Sequence, residues 1–154
     1  MVKEFKLFWK NYVFQSFLAT LTIFISLLFL SMKYAVIIAS IGATAFIVFA
    51  MPKSITANPK NVIGGHLVGL LSGCLCALIP CSSFLCSIFA YSFAVGLSIF
   101  IMVATDTEHP PASGTALGFA ITGFDLNAAT TLITSIIILS LAHYLFKPYL
   151  KNLI

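Results

Sequence analysis

The sequence contains no arginine, and charged residues make up 8% of its 154 positions. An ordinary soluble protein carries roughly 25%. A soluble fold needs a polar shell, and this chain cannot build one. A cytosolic enzyme, a DNA-binding module and a disordered chain are thereby excluded. The missing arginine also removes the bidentate fork often used to clamp phosphate or carboxylate. Acidic residues are scarce as well, four against eight lysines, for a formal net charge of +4. That excess does not point to nucleic acid. The lysines stand between apolar runs, where such residues orient membrane proteins.

What is present in excess is apolar surface. Hydrophobic residues make up 60% of the chain, against roughly 45–50% in soluble proteins, and the mean hydropathy is +1.10. The expectation is a polytopic membrane protein in the lipid bilayer, folded as one domain over residues 1–154.

Six apolar segments follow one another: Tyr12–Leu30, Tyr34–Met51, Val62–Ile79, Phe84–Ala104, Ala112–Thr122 and Leu126–Phe146. Pro52, Pro80 and Pro148 close the second, third and sixth. A hydrocarbon core about 30 Å thick needs roughly 20 helical residues. The first, fourth and sixth segments meet that length, and the second and third fall slightly short. The fifth, as helix, reaches only about 17 Å. It is either re-entrant, or completed by the extended stretch before it. Residues 1–11 read as an interfacial helix, with Lys3, Lys6 and Lys10 on one side and Phe5, Phe8 and Trp9 at headgroup depth. The run after them is too long for a signal peptide and lacks a small-residue cleavage site, so it reads as a retained span.

Lysine placement favours six crossings. With the N-terminus inside, only Lys33 lies outside. If segments two and five were re-entrant, Lys33, Lys53 and Lys60 would all lie outside, against the positive-inside rule. Both arrangements put the two termini in the cytoplasm, in a multi-pass protein of the inner (plasma) membrane. Gly42-Ala43-Thr44-Ala45 and Ser113-Gly114-Thr115-Ala116 open the middle segments of two three-segment units. Either these are chance small-residue patches, or they mark an inverted repeat whose broken helices meet at the midplane.

The four cysteines, Cys74, Cys76, Cys81 and Cys86, read as small buried apolar residues. Metal binding is the weaker reading, since Cys74 and Cys76 would point to different sides of a helix. The redox compartment stays open.

The richest polar stretch is Asp106-Thr107-Glu108-His109-Pro110-Pro111-Ala112-Ser113-Gly114-Thr115. It holds three of the seven acidic or histidine residues. The prolines keep Glu108 and His109 out of a helix, and Pro111 suits the first position of a new one. The next backbone N–H groups would then lack intrahelical partners, and a helix N-terminus in low dielectric suits a small anion. The alternatives are an ordinary cytoplasmic loop, or a metal site at Asp106, Glu108 and His109. Against the metal, the prolines splay these side chains, so no metal and no cofactor are expected.

Asn61 reads as an N-cap and Asn58-Pro59 as the turn before it. His66 stands more than one turn inside an apolar helix. It either donates to an anion and carries protons, or bonds a backbone carbonyl of a neighbouring helix. His143 reads as an interfacial residue. Gly65, Gly69 and Gly73 form a stripe for close helix approach, either within the subunit or at a dimer face.

His109-Pro110-Pro111 with the following small-residue turn and Thr115-Ala116 resembles the signature of the HPP family of small integral membrane proteins. Gly42-Ala43-Thr44-Ala45 and the Asn58–His66 stretch are similar to that family too, and the resemblance covers nearly the whole chain. Ser113-Gly114 departs from the family's more usual Gly-Ala and adds a hydroxyl. Members from cyanobacteria and plastids are linked to nitrite transport, so the resemblance implies nitrite as a candidate substrate.

The combined expectation is an all-α membrane bundle. It has six hydrophobic helices, two of them short or broken, an N-terminal interfacial helix and a candidate inverted repeat. It would pass a small monovalent anion, nitrite first, and would not be an enzyme. Ser113, Gly114 and Thr115 would supply donors, faced by a turn at Gly42, Ala43 and Thr44, with His66 nearby. His109 would be a switchable positive charge, which Asp106 and Glu108 could hold protonated while pointing away from the path. Pro110, Pro111, Asn58 and Asn61 would shape the site. A homo-oligomer, a dimer first, is expected. A membrane-embedded enzyme and a non-transporting assembly subunit are the competing classes.

Overall fold

The apolar segments become helices, because hydrocarbon leaves each backbone polar group no partner but its own chain. The computed structural model describes residues 2–28 and 34–154. These residues form six α-helices: α1 (Val2–Leu27), α2 (Ala35–Ala50), α3 (Pro59–Ala77), α4 (Phe84–Ala104), α5 (Pro111–Thr122) and α6 (Leu126–Phe146). Local sequence sets their ends. Proline occupies the first turn of α3 and α5. The Ser83 hydroxyl accepts from the Cys86 N–H at 3.3 Å to cap α4, and the Asp125 carboxylate accepts from the Ala128 N–H at 3.0 Å to cap α6. Gly123, with φ of +72°, ends α5 in a conformation that favours glycine.

α4 and α6 have the predicted boundaries, while α3 begins three residues early, at Pro59. The predicted interfacial helix is set off from the first span by a non-helical kink. It forms the first turns of α1, which bends at Phe8 (φ −119°, ψ 17°). Lys33 and the predicted end of the first segment lie outside the described residues.

Contacts along the chain fix helix direction. Gly65 lies against His109, Gly69 against Ala112 and Gly73 against Ala116, so α5 runs parallel to α3. α5 ends beside the start of α2, where Gly118 meets Ile37. The fifth segment therefore travels toward the far end of the bundle rather than turning back, and α6 makes the return. A re-entrant fifth segment does not fit this path. α2 and α5 are the short middle helices of the two units and run antiparallel, meeting where Gly114 faces Ser40. The units pack unequally, however. α5 is seated on the glycines of α3, whereas α6 has no glycine to seat against α2.

One end of the bundle gathers the C-terminal tail, the α2–α3 connection and the start of α1. The Leu153 N–H donates to the Ala50 carbonyl at 2.9 Å. The Gln15 amide donates to the Phe49 carbonyl and to the Lys151 carbonyl at 2.8 Å. The Lys151 ammonium sits 4.1 Å over the Phe8 ring, a cation–π contact. Lys53, Lys60, Lys147 and Lys151 thus share this end. Cys81, in the α3–α4 connection, and Cys86, in the first turn of α4, lie at the opposite end and form a disulfide. This corrects the reading of all four cysteines as inert apolar residues. Five residues apart across a turn, the pair comes close enough to bond, with α-carbons 5.3 Å apart. Cys74 and Cys76 remain free thiols.

Candidate functional site

Where α2, α3 and α5 meet, the bundle buries a chain of polar side chains. Ser40 and Thr44 stand one turn apart on α2 and face inward together. His66 comes from α3, Thr115 from α5, and His109 from the connection before α5. His109 reaches this depth because Gly65 offers no side chain: a β-carbon there would lie 2.7 Å from that of His109 and 3.0 Å from the Thr107 carbonyl. The glycine stripe thus serves packing within the subunit and frames His66. His66, His109, Thr44 and Thr115 are fully buried, and Ser40 is buried.

The links run in order. His109 Nδ1 lies 2.8 Å from the Thr56 carbonyl, and His109 Nε2 lies 3.0 Å from the Thr44 hydroxyl. Thr44 is 2.8 Å from His66 Nε2, and His66 Nδ1 is 2.8 Å from the Thr115 hydroxyl. Thr115 is 2.9 Å from the Ser40 hydroxyl, which donates to the Pro111 carbonyl at 2.5 Å. The imidazole centroids are 5.1 Å apart. A carbonyl only accepts, so His109 must carry its proton on Nδ1. Buried hydrogen bonds of this kind contribute about 0.5–1.5 kcal/mol each, and leaving one partner bare costs about 1–3 kcal/mol.

Several expectations need correction. Residues 42–44 are not a turn but the middle of α2. At about 100° per residue they fan around the helix, so Thr44 enters the site while Gly42 and Ala43 are exposed. The N–H groups opening α5 are not free. The Ala112 N–H donates to the His109 carbonyl at 2.9 Å and the Ser113 N–H to the Pro110 carbonyl at 3.1 Å, tightening the first turn. Ser113 and Gly114 are half-buried at the edge, and Thr115 alone of the three joins the chain. Asn61 is not a cap. Asn58 takes that position, while the Asn61 amide donates to the Glu108 carbonyl at 3.1 Å and pins the connection. His143 is not interfacial. It is buried, and its Nε2 donates to the Pro52 carbonyl at 2.8 Å.

The double proline behaves as its chemistry demands. Residues 107–109 lie outside any helix, Pro110 is an exposed turn residue, and α5 starts at Pro111. Asp106 does not hold His109 charged. It is exposed and accepts from the Lys60 ammonium at 2.7 Å, which lowers its pKa below the usual carboxylate value. His109, on the connection outside the spanning helices, is pushed down to about 4 by burial, against the opposing pull of the Thr56 carbonyl. Desolvation wins where no carboxylate answers it, so the resting imidazole is neutral. Asp106, Glu108 and His109 do not converge, as a metal site would require.

Ser40 and Thr56 were not singled out in the sequence. Ser40 was within reach, since it lies four residues before Thr44 on one helix face. Thr56 acts through its carbonyl, which no side-chain pattern reveals. Two cavities open at the disulfide end, neither lined by His66 or His109. One of about 230 Å³ lies between Cys76, Tyr91 and Gly123, and one of about 70 Å³ between Tyr34 and Gly118. The cluster is closed in this arrangement.

The chain is 36% identical over 88 residues to a transmembrane protein of Dictyostelium discoideum, covering 57% of this chain and 31% of that one. It is 33% identical over 81 residues to a second transmembrane protein of the same organism, covering 53% and 26%. The matches thus span about a third or less of these curated relatives. No solved structure matches. The HPP transmembrane-region family matches residues 5–152. Nearly every residue that builds the bundle and its buried cluster falls in that match, and this integral membrane protein belongs to the HPP family.

Proposed function

We propose that the chain transports a small monovalent anion, with nitrite as the first substrate to test. The observation that carries this reading is the buried cluster itself. Two imidazoles and three hydroxyls meet inside an apolar bundle, and their hydrogen-bond partners are one another and backbone carbonyls rather than carboxylates. Polar groups at such depth are costly to keep without a use. Donors without a carboxylate favour an anion over a cation. In the closed arrangement these groups satisfy one another, and parting α5 from α2 would free them for a passing anion. Membership of a family that includes nitrite-linked proteins supports nitrite. The chain's role would be transport rather than catalysis, in the inner membrane with both termini cytoplasmic. The lysine-rich end would face the cytoplasm and the disulfide end the oxidising side. A homo-oligomer, a dimer first, belongs to the same proposal, though the glycine stripe is occupied by α5 and does not supply its face.

The test is anion flux into liposomes, comparing nitrite, nitrate, formate and chloride, with protein-free liposomes as the control for leak of the neutral acid. Thr115→Val keeps the shape and removes the hydroxyl. Losing one hydrogen bond to a charged group costs about 1.5–3 kcal/mol, or roughly ten- to a hundredfold in affinity. Wild-type flux no greater than the protein-free leak for all four anions would end the transport reading.

A further inference from the structure

The buried links can be counted as protons. Five groups that both donate and accept stand in a row: His109, Thr44, His66, Thr115 and Ser40. With both imidazoles neutral, each group brings one hydrogen. The row has six links, because it ends on the Thr56 carbonyl on one side and the Pro111 carbonyl on the other. Both ends only accept. Five protons cannot fill six links, so one link always places two lone pairs face to face. With His109 donating to Thr56 and Ser40 to Pro111, turning a hydroxyl or exchanging the His66 tautomer moves the empty link among the four inner links without removing it. One added proton fills it.

We infer that the His66–His109 cluster is a binding site for one proton, taken up together with the transported anion. The inference rests on the transport reading and adds its coupling: one proton per monovalent anion, an electroneutral cargo. The proton comes from water, as hydronium. It forms one N–H bond on an imidazole, and each relay step along the row makes one N–H or O–H bond as it breaks another. The anion beside the cluster supplies the charge that makes the imidazolium tolerable away from water. A second proton is opposed, because the two rings lie 5.1 Å apart and would both be positive. The further contact of the Thr44 hydroxyl with the Ser40 carbonyl at 3.0 Å does not demand one. It is an optional back-bond to a carbonyl that the helix already uses.

Among the described residues, the other ionisable groups on the elements packed around the cluster stand outside the row. α2 and α5 carry no ionisable side chain in their described residues. On α3, Lys60 is exposed and paired with Asp106. Lys53, on the α2–α3 connection, is exposed. Glu108 meets Asn61 through its backbone. His143 on α6 gives its Nε2 proton to the Pro52 carbonyl and keeps a buried Nδ1 without a partner, but no link joins it to the row. The free thiols Cys74 and Cys76 lie near the C-terminal end of α3, and Tyr91 and the Cys81–Cys86 disulfide belong to the far end.

Calorimetric titration of sodium nitrite into the detergent-solubilised protein near pH 7 tests this, run in two buffers of different ionisation heat. The difference in heat gives protons taken up per anion bound. The expected value is one for the wild type and zero for His66→Gln and His109→Gln where nitrite still binds. Binding of nitrite by the wild type with no proton uptake, or with two, overturns the inference and leaves the transport reading standing. Absence of both binding heat and liposome flux would instead remove the transport reading. The wild-type count decides even if a variant fails to fold. Unchanged uptake in both folded variants would place the proton elsewhere and overturn the assignment.

Discussion

Gly73→Ala puts the seating of α5 on α3 under direct strain. A β-carbon at Gly73 would lie 2.5 Å from the Ala116 carbonyl oxygen and 2.8 Å from the Phe119 β-carbon, whereas ordinary contact begins at 3.4 Å. The first obstacle is backbone, which cannot rotate aside as a side chain would. α5 must therefore withdraw by about 0.9 Å or the helices must slide. Such a withdrawal, carried along α5, takes the Thr115 hydroxyl from 2.8 Å to roughly 3.7 Å from His66 Nδ1, past hydrogen-bond range. Overpacking costs about 1–3 kcal/mol, and an unpaired buried donor or acceptor about 1–3 kcal/mol more. The better helix propensity of alanine returns only about 0.5–1 kcal/mol. The net expectation is a loss of about 1–5.5 kcal/mol, read as a lowered thermal midpoint in detergent together with weakened nitrite binding. Gly96→Ala on α4 is the control, because nothing lies within 4 Å of a β-carbon there, and it should be neutral or mildly stabilising. If Gly73→Ala melts with the wild type and binds as well as Gly96→Ala, the helices are not seated as described. If it keeps a stable monomer but loses oligomerisation, the stripe faces another subunit instead.

Two further outcomes are open to simple measurement. Thiol labelling of denatured protein without reduction should modify two cysteines, Cys74 and Cys76, and four after reduction; four labels without reduction would show the 81–86 bond absent. Reporter fusions at each terminus should report the same side, the cytoplasm, because Leu153 bonds Ala50 and Lys151 covers Phe8 at one end of the bundle; opposite sides would break the six-crossing path.

The sequence by itself determined the class of molecule and, to within three residues, the bounds of α2 to α6. Burying a backbone in hydrocarbon leaves only helices and closed barrels, so apolar runs bounded by Pro52, Pro80, Gly123 and Pro148 could be read as helices. The break at His109-Pro110-Pro111 was equally legible, because proline chemistry is local and acts whatever the surroundings. Ser83 and Asp125 cap their helices by the same kind of local rule. The tertiary structure alone decided which side chains meet. His66 lies 43 positions from His109, and Thr44 binds both only because α2 and α3 pack with the connection dipping over Gly65. That packing also drew Asn61 away from a capping role and carried His143 inside, while the first N–H groups of α5 are taken locally by the carbonyls of His109 and Pro110. Cys81 and Cys86 became a bonded pair through the geometry of a turn. Spacing along one helix places Ser40 beside Thr44. The direction of a partner helix, and the depth to which a connection sinks, depend on contacts between segments far apart in the chain, and no local pattern encodes those.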